Sequence, residues 1–537
     1  MPALSFRSVL RAVALLVCVT LLSHSPASAQ AEKPRVGGAM IVGLAGEPGI
    51  LNAAISANLL EKTVSSNVFS MLIRLNFKFE PVPDLAETWS VSDDGLSYTF
   101  NLRKGVKWHD GQPFSSADVK FTIENVIIPL HGRGSTYGSI ISKVDAPDDN
   151  TVIIRLKTPF GPLMNALGYD FFILPKHLYE GTDIRSNPYN SKPIGTGPFK
   201  FAEWKKGSHI TLERNKDFYD ANKPHLDRLI FQVIPDASSR VLALESGDID
   251  YLSYESVPSS AAGRLLKNPK LTSTKKGFES LASIAMLTFN QDNAILKDVR
   301  VRRALAYATN KQLIAERADY SIGKPATGPI ASSSWAYEPN VELYKFDPAV
   351  AAKMLDEAGY PVKADGTRFS LRLTADGGVE FNRKTAEILK EQYGQIGVKV
   401  EIQLVERNVM LDRVYSKREY DTFLHTFSTG ADPAIDVSRL YVSTNIRPVN
   451  FTNGAGYRSE AIDKLMLEGQ NTSSTEKRTQ AYREAQRVLA QDEPMIWLVE
   501  IGILGVWNKK IHGLHEWSAY SYYSFWDAWS EDGKPSK

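Results

Sequence analysis

Cysteine is almost absent: Cys18 is the only one in 537 residues. It falls inside an amino-terminal export signal, so the exported chain carries no thiol, which excludes disulfide frameworks, cysteine nucleophiles, iron–sulfur centres and thiolate zinc sites. A surplus of either charge is also missing. Lys and Arg number 63 and Asp and Glu 61, a balance that argues against a partner whose many phosphates must be neutralised. No Gly-x-Ser-x-Gly elbow, His-Glu-x-x-His pair, phosphate loop or dinucleotide fingerprint occurs. No catalytic residue, metal or cofactor is therefore expected. A secreted hydrolase using two carboxylates stays open as an alternative, because their separation is set by the fold and not by spacing in sequence.

The signal occupies residues 1–29. Arg7 and Arg11 give a positive start, Ala12 to Leu22 is largely apolar, and Ala27-Ser28-Ala29 is a small-x-small cleavage site. The apolar run is too short to span a bilayer. Cleavage after Ala29 removes two positive charges, leaving 508 residues with a formal net charge of zero. A chain of that length divides into two or three lobes, since single cores rarely grow past roughly 250–300 residues.

Alternating or turn-bounded segments predict strands at Ala39 to Leu44, Tyr98 to Leu102, Thr151 to Leu156, Phe369 to Leu373, Val398 to Ile402 and Met495 to Val499. Helical periodicity predicts helices at Ser116 to Asn125, Val301 to Arg317, Ala349 to Ala358, Lys384 to Ile396 and Ser474 to Ala490. Asp118 is placed in a first helical turn, where a carboxylate meets unpaired backbone N–H groups. Strand, helix and strand in succession in the second half read as an α/β lobe. Nine Trp and 22 Tyr supply large side chains with polar handles, suited to core edges and to ligand pockets.

Four stretches together resemble the large solute-binding proteins of ATP-driven importers, the dipeptide- and oligopeptide-binding family. They are Pro83-Asp84-Leu85-Ala86-Glu87-Thr88-Trp89 running on to Lys107-Trp108-His109-Asp110-Gly111-Gln112-Pro113-Phe114; Pro193-Ile194-Gly195-Thr196-Gly197-Pro198-Phe199; Asp298-Val299-Arg300-Val301-Arg302-Arg303-Ala304-Leu305; and Ala351-Ala352-Lys353-Met354-Leu355-Asp356-Glu357-Ala358-Gly359-Tyr360. The resemblance implies an α/β two-lobed clamshell of the class II, cluster C type with an additional N-terminal subdomain. Lobe I would comprise about residues 30–280 plus 505–537, with the subdomain inserted at about 75–190, and lobe II about 281–504. It further implies a periplasmic, monomeric receptor that passes a peptide or other small polar solute to a permease in the inner membrane, without nucleic acid.

Peptide-holding members clamp the free amino terminus with an aspartate in a Trp-x-x-Asp-Tyr-x-Asp-Pro segment. The matching stretch here is Phe427-Ser428-Thr429-Gly430-Ala431-Asp432-Pro433, with the clamp position on or beside Gly430. The arginine that meets the carboxylate in dipeptide binders is matched by Asp376. Both halves of the clamp are missing at these positions, and an unpaired buried charge is costly. The ligand implied is a longer or modified peptide, an opine, a glycoside or a sugar-phosphate conjugate. Expected contacts are Asn52, Asn290, Trp335, Phe427, Ser428, Thr429 and Gly430, with Asp432 fixing its loop. Each has a structural reading beside it: turn or cap for the asparagines, packing for the aromatics, turn geometry for residues 428–430.

Overall fold

The computed structural model describes residues 33–341 and 344–535. The export signal expected at residues 1–29 lies outside the described residues. Two sheets dominate. The first has seven strands, in the order Leu271–Thr274, Gly505–Asn508, Tyr251–Ser253, Ala39–Leu44, Arg228–Val233, His209–Arg214 and Phe199–Lys205. Ala39–Leu44 runs parallel to both its neighbours. Its alternation explains its place: Met40, Val42 and Leu44 are all buried in one core, while Ile41 packs against another. The aromatic carboxyl-terminal segment returns to that first core, burying Tyr520, Tyr522, Tyr523 and Phe525.

The second sheet has six strands: Lys324–Pro325, Met495–Glu500, Ser283–Phe289, Thr422–Ser428, Phe369–Asp376 and Val398–Val405. Both faces are covered. Ala285, Leu287 and Phe289 join Leu305, Leu355 and Leu389 of the helices Val299–Tyr307, Pro348–Glu357 and Glu380–Gln395. Ile284 and Met286 point the other way, to Ile462, Met466, Tyr482 and Leu489 of Glu460–Gln470 and Thr475–Asp492. Each such side chain contributes ~1.5–3 kcal/mol on burial, so this strand is anchored from two sides.

Between Leu72 and Ile173 lies a third core on a four-stranded antiparallel sheet of Ala86–Val91, Ser97–Leu102, Thr151–Leu156 and Ile141–Asp148. Its helix Ser116–Phe121 opens with a capping box. Asp118 accepts from the Ser115 backbone N–H at 2.9 Å with one oxygen and from that of Lys176 at 2.9 Å with the other. The helix continues in wider turns to Ile127. The single helix expected from Val301 to Arg317 is two, Val299–Tyr307 and Lys311–Arg317, because Asn310 caps the second by accepting from the Leu313 N–H at 2.9 Å.

The chain passes between the two large sheets at residues 275–282 and 501–504. Both crossovers are tied to one loop. Asp319 accepts from the N–H groups of Gly323 at 2.8 Å and Gly502 at 2.9 Å, and Lys275 donates to the Ile322 carbonyl. Burial pushes the Asp319 carboxyl up to about 6, against the opposing effect of those two N–H donors.

Candidate ligand-binding site

Thr422–Ser428 runs parallel to Phe369–Asp376 and antiparallel to Ser283–Phe289, pairing Ser428 with Ser283 and Thr422 with Phe289. The residues after Ser428 therefore leave the sheet where the chain crosses between lobes. Thr429 N–H donates to the Ala282 carbonyl at 2.8 Å, and the Ser428 hydroxyl accepts from the Gly430 N–H at 3.1 Å. Asp432 then caps the short helix Pro433–Asp436 through the Ala434 N–H at 3.0 Å, with Pro433 preset for the first helical position.

Asp432 is fully buried and fully engaged. Arg478 reaches both its oxygens, at 2.6 and 2.7 Å, and the Asn165 amide donates to it at 2.8 Å. Asn165 comes from the subdomain, so this contact already crosses between lobes. Gly161 of the subdomain likewise donates its N–H to the Gln470 carbonyl at 2.9 Å, and Ile435 packs against the subdomain core.

A second charged group lies one helical turn on. Arg133 of the subdomain places Nη2 3.3 Å from Asp436 Oδ1 and Nη1 3.0 Å from Asp170 Oδ2. Asp170 also receives Lys62 at 2.6 Å and the Tyr137 hydroxyl at 2.5 Å. Burial opposes its charge, but Lys62 and Arg133 outweigh burial and hold the carboxyl well below the usual range. Asp436 goes the other way: burial raises it, and Arg133 with Arg439 offsets that only in part. Arg439 lies 3.9 Å from Asp436, with its guanidinium 4.4 Å from the centre of the Phe427 ring. Lys62 covers Tyr169 at 3.6 Å, and Tyr169 stacks on Tyr520 at 4.9 Å.

Gly430 explains how Asp436 reaches this place. Its φ of +61° is left-handed, and a Cβ there would stand 1.9 Å from Asp436 Oδ2. Asp436 is folded back into the space a side chain at 430 would fill, so a carboxylate stands beside the position where Gly430 itself carries none.

Among the expected contacts, Trp335, Phe427, Ser428, Thr429 and Gly430 gather here with Asp432. Trp335 touches both lobes' cores, donates from Nε1 to the Ala431 carbonyl at 3.2 Å and lies beneath Arg478 at 4.9 Å. Phe427 is buried in the lobe II core and offers the cleft its contact with Arg439. Two further expected contacts are engaged by partners within the fold. Asn52 is wholly buried, donating to Asn190 at 2.8 Å and accepting from the Ala54 N–H at 3.0 Å. Asn290 lies at the opposite end of its strand from Ser283, holding the carbonyls of Arg418 and Tyr420 at 3.3 and 2.8 Å. Asp376 accepts from the Gly378 N–H at 2.9 Å. Sequence reading missed Arg133, Asp170 and Asp436, whose only shared signal is charge.

Two cavities of 260 and 240 Å³ flank the crossovers and share Ile322, Ile501, Gly502 and Ile503 in their walls. Each is smaller than the roughly 300–1,000 Å³ usual for small-molecule sites, so neither by itself houses a peptide.

A two-lobed chain with an extra subdomain is the architecture the resemblance implied. The family described as bacterial extracellular solute-binding proteins, family 5 Middle, matches residues 80–447. The chain belongs to that family. As a member it is a solute-binding protein of ATP-driven importers. The oligopeptide-binding protein AppA of Bacillus subtilis is 30% identical over 89% of this chain and 88% of its own length. Its structure in complex with a nonapeptide superposes with a TM-score of 0.72 at 28% identity, covering 93% of this chain and all of that one. Heme-binding protein A of Haemophilus influenzae is 28% identical over 84% of each chain. The substrate-binding protein CtaP of Listeria monocytogenes superposes with a TM-score of 0.81 at 26% identity, over 93% of this chain and all of that one.

Proposed function

We propose that this chain is a monomeric periplasmic receptor that closes its lobes around a peptide-like solute, leaves it chemically unchanged and presents it to a permease in the inner membrane. The observation that carries the reading is the junction itself. Arg133 from one side and Asp436 from the other meet at 3.3 Å beside the crossovers, so opening the lobes exposes complementary charges that a small polar solute can satisfy. AppA, similar over most of its length, holds a nonapeptide, which favours a peptide-like solute over a carbohydrate.

The test is to incubate the purified chain with separate pools of peptides, opines and oligosaccharides and to weigh the complexes by native mass spectrometry. One unaltered solute per chain, from the peptide or opine pool, is expected. Turnover of a pool, or retention of nothing from any of them, contradicts the receptor reading.

A further inference from the structure

The acids at the lobe junction differ in how completely they are paired. Asp432 has Arg478, Asn165 and its own helix N–H; Asp170 has Lys62, Arg133 and Tyr137. Asp436 has Arg133 at 3.3 Å and Arg439 at 3.9 Å, the latter beyond hydrogen-bond reach. Arg133 is held independently by Asp170, so releasing Asp436 would not leave it unpaired. Arg439 spends Nε on the Asp436 backbone carbonyl at 3.3 Å and faces the same junction over Phe427. The Arg133–Asp436 contact is the ion pair of this cluster that joins the subdomain to lobe II, and opening it leaves Arg133 on Asp170.

We propose that the Arg133–Asp436 pair determines specificity by exchange: the solute's ammonium group takes Asp436, and its carboxylate takes Arg133 with Arg439. This rests on the receptor reading above and narrows the solute class. The two protein charges lie side by side, so the solute that replaces their contact with least lobe movement carries ammonium and carboxylate on one carbon. That is an α-amino-acid head group, as in a γ-linked peptide or an opine. A linear peptide spreads its terminal charges by ~3.3–3.6 Å per residue, so with its ammonium on Asp436 its carboxylate does not reach Arg133 and Arg439, and the exchange is only half made. Gly430 belongs to the same device, because any side chain there would displace the Asp436 carboxylate.

Isomers isolate this claim. γ-Glutamyl dipeptides and α-glutamyl dipeptides of the same second residue have equal mass, charge and composition, and differ in whether the ammonium shares its carbon with a free carboxylate. Calorimetry of the full chain with matched pools of ten of each should show the γ-linked set favoured at least about tenfold. Asp436→Asn and Arg133→Gln should each erase most of that preference, and Asp436→Glu should restore part of it. A single cooperative melting transition in each variant, shifted by no more than a few degrees, shows that the fold is intact.

Equal binding of the two sets, binding of neither, or a preference that survives both substitutions overturns the exchange. If neither set binds while the native-mass test retains another solute, the receptor reading stands and this inference falls. Retention of nothing by either method removes both.

Discussion

Asp432 and Asp436 bound the same four-residue helix, yet they sit in opposite physical situations. Asp432 accepts four hydrogen bonds in a dry site, two of them from one guanidinium of its own lobe. Asp436 meets a guanidinium of the other lobe through a single 3.3 Å contact. A buried carboxylate with every lone pair engaged is costly to disturb, whereas one held by a single longer contact is ready to change partner. One helical turn thus separates a residue that builds the loop from one that serves it.

The sharpest break of that comparison is Asp432→Ala. It removes the helix cap and strands Arg478 in the core without its carboxylate, which should cost about 3–5 kcal/mol of folding stability. Denaturant unfolding followed by circular dichroism reads it. Asp436→Ala with an equal loss would erase the distinction.

Arg133→Gln should have a smaller effect, about 1 kcal/mol in the same unfolding experiment, since Lys62 and Tyr137 still hold Asp170. Its larger signature should be geometric. Small-angle scattering should show a more open average shape than for the parent chain, because the interlobe ion pair is gone.

The smallest effect expected is with acid. Burial raises the Asp436 carboxyl above the ordinary value of 3.8, so on acidification it takes its proton earlier than an unfolded aspartate does. Between those two values the folded chain binds more protons than the unfolded one, so this group favours folding as pH falls even while the ion pair it forms is lost. The lobes should loosen on acidification without unfolding, and Asp436→Asn should make the scattering profile less sensitive to pH over the same range.

Much of the scaffold was legible from local pattern. Ala39–Leu44 and Thr151–Leu156 have the ends expected, because alternation and flanking turns are local properties. The break between Val299–Tyr307 and Lys311–Arg317 was not read, although Asn310 is a strong cap, because the apolar period continues across it. The site was less legible. Asparagine suits turns and ligands equally, and sequence alone does not show that Asn52 and Asn290 are held by partners within the fold. Asp436 was passed over because its approach to Gly430 needs a left-handed backbone at that glycine. Arg133 lies some 300 positions away in sequence, and only the tertiary fold brings it there.

The most direct measurement is a crystal structure of the full chain grown with γ-glutamylalanine. The expected result places its α-ammonium on Asp436 and its α-carboxylate on Arg133, with both lobes touching the dipeptide. An Arg133–Asp436 pair still intact in those crystals contradicts the exchange.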